Sequence, residues 1–385
     1  MAWKIPLADI DFDEKEEEAA LRVIRSRWLS MGEETQAFER EFGEFVGAKH
    51  ALAVSSATAA LHLSCAAAGF QPGDEVIVPS LTFVATANAA RYMGATPIFA
   101  DATSPDDLTL SPEAVERSIS PNTRGIIVMH YGGYACDMPA ILDIARRKNL
   151  VVIEDSAHTV GAYLGGKHLG TWGAMGCFSF FSNKNMTTGE GGMVVTDDDA
   201  LAAKLKALRS HGMTSLSWER HLGRAWTYDV AELGFNYRMD EIRAAIGRTQ
   251  LQKVKGFNAR RAELTALYRE YLSELAPQIS MPFANPRGES CYHILPILLP
   301  AGADRRAFME ALKADGIQTS IHYPPIHHFQ NFVNRPEFLR GALNVTEDIC
   351  AREVTLPLYP AMKEEDVKAV AEAAAKATII YALKK

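Results

Sequence analysis

Between Lys167 and Glu190 the only Asp, Glu, Lys or Arg is Lys184, set in "FSFFSNKNMTTGEGG". A lysine among aromatics, Ser, Thr and Gly is either a stem on the surface with its ammonium in water, or an amine kept in a partly dry pocket for chemistry. Other stretches carry reactive types at the close of apolar runs. "LVVIEDSAH" ends on Glu154 and Asp155, with His158 three residues further on. "AVSSATAAL" passes through Ser55, Ser56, Ala57 and Thr58 into a helical pattern, and "IVPSLTFVATANAA" does the same with Thr82 and Phe83.

Singly, each has an ordinary structural explanation. An Asp at a strand end caps a helix or closes a turn, and a Ser/Thr cluster before a helix is a cap. A lone His is a hydrogen-bonding partner and a lone Phe is core. Together they suggest a cofactor. Hydroxyls and amides at a helix start bind phosphate, an aromatic face covers a planar ring, an aspartate keeps a ring nitrogen protonated, and a lysine amine forms a Schiff base. This is the set that pyridoxal 5′-phosphate requires.

The elements that must position these residues follow from the pattern of apolar runs. Strand candidates are 51–56, 75–79, 96–101, 125–130, 150–155 and 192–197, with helices starting at Thr58, Phe83, Pro112 and Met138 between them. Alternating short β-branched runs and helices predict an α/β fold with a doubly wound, mostly parallel sheet. In such a sheet ligands sit beyond the carboxyl ends of the strands, where the candidate residues fall. After Asp198 the texture turns helical, with a long stretch from Met239 to about Ala276 reading as a connector. From about Ser280 a smaller α/β pattern appears: "HILPILLP", a helix in "RRAFMEALKADG", the strand-like "IQTSIHY" and a closing helix. The expected division is a large domain with an N-terminal arm over 1–250 and a small C-terminal α/β domain over 251–385.

The 385 residues carry a formal net charge of −7 and no dense Lys/Arg cluster, which argues against nucleic acid as a partner. The N-terminus lacks a signal-peptide apolar core, and no run reaches the eighteen or so apolar residues of a membrane span, so a cytoplasmic protein is expected. Cys65, Cys136, Cys177, Cys291 and Cys350 form no CxxC pair and read as small core residues. His322, His327 and His328 invite a metal reading, but no HExxH or carboxylate-rich pattern accompanies them, and Pro324 and Pro325 make the segment an extended loop. They are read as hydrogen-bonding groups for a sugar or phosphate, with no metal.

Nearly the whole chain resembles the DegT/DnrJ/EryC1/StrS sugar aminotransferases, within the fold type I pyridoxal-phosphate enzymes. The likeness runs from "WLSMGEETQAFEREFGEFVGAKHALAVSSATAALHL" through "GDEVIVPSLTFVATANAARYMGATPIFAD" and "VVIEDSAHTVGAYLGGKHLGTWGAMGCFSFFSNKNMTTGEGGMVVTDD" to "LGFNYRMDEIRAAIGRTQLQKV". By position it implies Lys184 as the Schiff-base lysine, Asp155 as the partner of the pyridine nitrogen, His158 near the phenolic oxygen or ring, and Phe83 stacked on the ring. The implied phosphate cup is Ala57, Thr58 and Ser179, with Asn236 reaching in from the partner of a homodimer. Two departures stand out: Ala57 replaces the usual glycine of the first phosphate loop, which leaves its amide in place, and "FFSNKN" replaces a His-Pro or similar pair before the lysine.

The resemblance further implies a ping-pong transamination in which L-glutamate leaves as 2-oxoglutarate and a nucleotide-linked keto-sugar takes the amine, for surface polysaccharide or antibiotic sugars. Trp28, Ser30, Arg238, His322 and Tyr323 fall at positions lining the sugar cleft, and Arg27, Arg209, Arg224 and Arg238 are candidates for the diphosphate. Two alternatives share the fold. One is a sugar dehydratase, whose relatives usually replace the lysine with histidine. The other is a non-enzymatic, cofactor-binding regulator, which needs an effector module.

Overall fold

The computed structural model describes residues 3–381 apart from Leu216 and Arg224. Its centre is a seven-stranded sheet made of β1 (His50–Val54), β2 (Glu75–Pro79), β3 (Thr96–Ala100), β4 (Thr123–Met129), β5 (Val151–Asp155), β6 (Met175–Ser179) and β7 (Gly192–Thr196). Their order is β1-β7-β6-β5-β4-β2-β3. Six strands point one way; only β7, between β1 and β6, is antiparallel. Ile126, Ile127 and Val128 in β4 and Val76, Ile77 and Val78 in β2 are all fully buried, as strands covered on both faces require. Burying each such side chain stabilises the fold by about 1.5–3 kcal/mol.

The helices between strands carry their own start and stop signals. In Ala57–Ala68, Ser56 caps the first turn by accepting from Ala59 N–H at 3.1 Å, and Gly69 closes the helix at φ 79°. Met138–Lys148 begins on Asp137, which accepts from Ala140 N–H, has a proline in its first turn, and stops on Asn149 in the left-handed region.

The long helix Glu241–Leu275 passes position 250 without a break. Its first residue, Glu241, is buried and accepts hydrogen bonds from the backbone N–H groups of Gly32, Glu34 and Thr35, so it fastens the N-terminal segment. Further along, Leu264, Tyr268 and Leu272 join a second core with the two-stranded ribbon Leu295–Leu298 and Glu353–Leu356 and the helices Arg305–Ala314 and Glu364–Tyr381. The run read as "IQTSIHY" is not a strand: it makes only isolated bridges, Ile5 to Ile317 and Ser320 to Thr355. All five cysteines are buried and unpaired. No helix among the described residues is long and apolar enough to cross a membrane.

Candidate active site

The reversal of β7 sets the site's geometry. Parallel strands bring the ends of β1, β2, β4, β5 and β6 to one edge, and an antiparallel strand begins at the edge where they finish. The turn from Ser179 to Gly192 therefore lies over that edge and carries Lys184 with it. A cavity of about 370 Å³ opens there, within the range of roughly 300–1,000 Å³ typical of ligand sites. Ala57, Thr58, Phe83, Asp155, His158, Ser179, Lys184, His322 and Tyr323 all line it.

Asp155 closes β5. The strand's alternation sends Glu154 to the opposite side, where it accepts from His130 and from the N–H groups of Gly170, Trp172 and Gly173. Glu154 is a loop anchor; Asp155 faces the cavity. Burial raises the Asp155 pKa, offset by the Thr86 hydroxyl donating to Oδ2 at 2.7 Å, the Ala157 N–H at 3.2 Å and the charge of Lys184. Burial also lowers the Lys184 ammonium to about 8, against Asp155 and Cys291, which favour the charged form. The lysine Nζ lies 3.4 Å from His293 Nε2.

His158 accepts from Gly132 N–H on Nδ1 at 3.2 Å and meets the Tyr323 hydroxyl with Nε2 at 3.1 Å. Burial pushes its pKa well below 6.5, so it is neutral with the proton on Nε2. Phe83 stands at the cavity mouth, 56% exposed, with its ring 6.0 Å from that of Tyr323. At the other wall the helix Ala57–Ala68 points its N-terminus into the cavity. Ser56 already serves Ala59 N–H through its side chain and Ala60 N–H through its carbonyl, which leaves the Ala57 and Thr58 N–H groups without intrahelical acceptors. Ser179 Oγ accepts from Phe181 N–H and keeps its own proton to donate. Gly192 packs so tightly beneath this turn that a Cβ there would sit 2.5 Å from the Ser56 carbonyl carbon.

These groups fit pyridoxal 5′-phosphate. Free helix-start amides and a hydroxyl suit the phosphate, a buried carboxylate suits a ring N–H, and a lysine with a lowered pKa suits an aldehyde. Asn183 Oδ1, buried on the cavity wall without a hydrogen-bond partner, is a further acceptor.

Several sequence-predicted residues lie elsewhere. Trp28 lines a separate hollow of about 350 Å³, its ring 4.9 Å from that of Trp218, and Ser30 is exposed. Asn236 is exposed and Arg238 half-buried; neither lines the cavity. Of the diphosphate candidates, Arg209 is buried and committed to Glu39 and the Ala53 carbonyl, Arg27 ends a helix in the left-handed region, and Arg224 lies outside the described residues. Arg209 also lines a larger depression of about 770 Å³, which holds no other predicted residue, so size alone does not mark the site.

The histidine loop also departs from expectation. His327 spends both ring nitrogens on Ser80 Oγ and Glu347, so it is not available to a sugar or phosphate. His328 also pairs with Glu347, and His322 bonds Thr355 instead, away from these two. His293 carries no local signal in the sequence, because it lies 109 residues from Lys184; Asn183, next to Lys184, and Thr86, three residues after Phe83, lie inside the quoted stretches but are not marked out by their types alone.

The residue pattern has counterparts among known proteins. The model of the DegT/DnrJ/EryC1/StrS aminotransferase family matches residues 10–375. The spore coat polysaccharide biosynthesis protein SpsC of Bacillus subtilis (strain 168) is 38% identical over 378 residues, covering 97% of this chain and 96% of that protein. Among solved structures, the aminotransferase TlmJ from Streptoalloteichus hindustanus superposes with a TM-score of 0.90 at 31% identity, covering 98% of this chain and 99% of that one. DesI, solved in the presence of its TDP-sugar product, gives 0.88 at 31% identity over 98% and 93% of the two chains.

Proposed function

Because the chain belongs to the DegT/DnrJ/EryC1/StrS aminotransferase family, we propose that it transfers an amino group from L-glutamate to a nucleotide-linked keto-sugar, using pyridoxal 5′-phosphate. The observation that carries this reading is the meeting of Lys184, Asp155 and the open helix start of Ala57 and Thr58 around one cavity. When bound, the cofactor supplies an aldehyde that takes up the amino group and a cationic ring that accepts an electron pair from the substrate carbon.

The chain's own residues have separable tasks. The Ala57 and Thr58 amides and the Ser179 hydroxyl hold the phosphate, with the helix N-terminus favouring its negative charge. The Asp155 carboxylate, buried and already fixed by Thr86, holds a proton on the ring nitrogen; a cation at that point offsets the burial that raises the Asp155 pKa. Phe83 covers one face of the ring and His158 the other side of the site. Lys184 Nζ removes a proton from one carbon and returns it to another, a task matched to an amine with a pKa of about 8.

The nucleotide-sugar substrate is supported by DesI, solved in the presence of its TDP-sugar product, and the polysaccharide pathway by SpsC. His322 and Tyr323, both lining the cavity, are the sugar-facing groups. A homodimer completes the site. Asn236 is exposed outside its own cavity, and the preceding segment displays Trp226 at 95% and Leu233 at 87% exposure, side chains that a partner would cover.

The test follows the cofactor's absorbance and the 2-oxoglutarate formed when L-glutamate is added to the loaded protein. Loss of the visible band with one 2-oxoglutarate per site, absent in Lys184→Ala, is expected. An unchanged spectrum with glutamate and with other amino donors would sink the proposal. Consumption of keto-sugar without 2-oxoglutarate would point to the dehydratase.

A further inference from the structure

We infer that His293 is a positioning residue for Lys184: its Nε2 accepts a hydrogen bond from Nζ, and Asn185 and Asn258 fix the imidazole tautomer that makes this possible. The inference deepens the aminotransferase reading and rests on it for its kinetic consequence.

The direction of each hydrogen bond is forced by backbone carbonyls, which only accept. Asn258 Nδ2 lies 2.9 Å from the Val160 carbonyl and therefore donates, which turns its Oδ1 toward Asn185 Nδ2 at 2.7 Å. Asn185 Nδ2 also donates to the Cys291 carbonyl at 2.8 Å. Both of its donors are then used, and its Oδ1, 2.9 Å from His293 Nδ1, is left to accept. His293 Nδ1 must carry the proton. The remaining nitrogen, Nε2, offers a lone pair to Lys184 Nζ at 3.4 Å.

A doubly protonated ring is disfavoured here. His293 is buried, and the charged or titratable groups around it are Lys184, His158, Arg261 and His322, none of which rewards a positive charge; its pKa lies well below 6.5. The ring cannot easily turn away either. Its backbone N–H donates to the Gly132 carbonyl at 2.9 Å, its carbonyl accepts from Arg261 Nη1 at 3.1 Å, and the His158 ring packs against it at 4.3 Å.

Lys184 must be a free amine whenever it moves protons. A hydrogen bond from Nζ to a fixed acceptor restricts the amine to one arc and leaves its lone pair for the cavity. Misplacing a proton-transfer group by even an ångström is costly, so a fixed acceptor is a positioning device.

The test uses the full-length chain carrying pyridoxamine 5′-phosphate, labelled with 15N-histidine, with His293 assigned through His293→Gln. The expected spectrum at neutral pH shows protonated Nδ1 and unprotonated Nε2. Asn185→Leu should shift the ring to the opposite tautomer. Reloaded with pyridoxal 5′-phosphate, the form that glutamate reduces to the amine, this variant should also slow the single-turnover glutamate half-reaction by roughly three- to tenfold, the effect of one neutral hydrogen bond, with KM for glutamate unchanged. His293→Leu should do the same, while His293→Gln, whose amide oxygen can accept from Nζ, should recover most of the rate. An Nε2-protonated or doubly protonated ring in the unmodified chain overturns the inference, as does an unchanged half-reaction rate in both Leu variants. If the chain forms no 2-oxoglutarate at all, the function fails while the tautomer measurement still decides the geometry.

Discussion

Replacing Glu353 with glutamine should remove a large pH dependence of stability. Glu353 is completely buried at the start of the strand Glu353–Leu356, where Oε1 accepts from the Thr355 hydroxyl at 2.6 Å and Oε2 from the His322 N–H at 2.9 Å. Burial nevertheless dominates and pushes the carboxyl from 4.5 up to about 8. An acid whose pKa rises on folding holds its proton more tightly in the folded state. Its contribution is greatest below 4.5, declines as pH climbs, and is gone above about 8. At about 1.4 kcal/mol per pH unit, raising the pH from 5 to 9 should cost the native protein roughly 4 kcal/mol relative to Glu353→Gln. Urea unfolding of both proteins at pH 5, 7 and 9 measures this as a difference, so titrations common to both cancel. A difference that stays level within about 1 kcal/mol across that range would refute the burial argument. The exchange reaches the active site as well. His322 Nδ1 meets the same Thr355 hydroxyl at 2.8 Å, and a glutamine amide donating to that oxygen would free the hydroxyl proton for His322.

Other perturbations address the cavity more directly. Gly192→Ala should lower stability by about 1–3 kcal/mol and weaken cofactor binding, seen by titration of the cofactor-free chain, because the added Cβ meets Ser56 and Ala57 backbone at 2.5 and 2.7 Å; unaltered affinity would contradict the tight seat. Asp155→Asn should slow the glutamate half-reaction by at least about a hundredfold with little change in melting temperature, and a rate near normal would remove Asp155 from its role. Leu233→Asp should shift the chain in sedimentation from a dimer to its 42.2 kDa monomer and reduce turnover; a fully active monomer would show that no partner is needed.

Much of the large sheet is legible in the sequence because its strands are continuous β-branched runs. Residues 75–79 and 151–155 stand out between helical patterns, and the reactive residues close those runs. β6 was not legible: "MGCFS" is short, contains a glycine and has no β-branched residue, yet all five positions are buried at the sheet's centre. Glu353–Leu356 was hidden by its charged first residue, whose burial depends on the His322 and Thr355 contacts. The opposite error arose at "IQTSIHY", which read as strand-like but pairs with its neighbours Ile5 and Thr355 only through isolated bridges. In the site, period-two alternation separates Asp155 from Glu154 only once the strand's two faces are known. His293 could not be found by spacing, since it lies 109 residues from Lys184 and is seated there by Gly132 and Arg261 from other parts of the chain.

The pairing of β1 with β7 also has a consequence for how the protein is made. Ala51 lies opposite Val195, so the helix start at Ala57 and the turn that carries Lys184 are joined by two strands that are neighbours in the sheet but far apart in the sequence. Such distant pairings form late, after the loop-closure cost has been met. A chain still emerging from the ribosome lacks the cavity around Lys184 until residue 196 is free to dock beside residue 50. A cofactor bound as proposed above would bind only the assembled form, and by mass action would help hold β1 against β7.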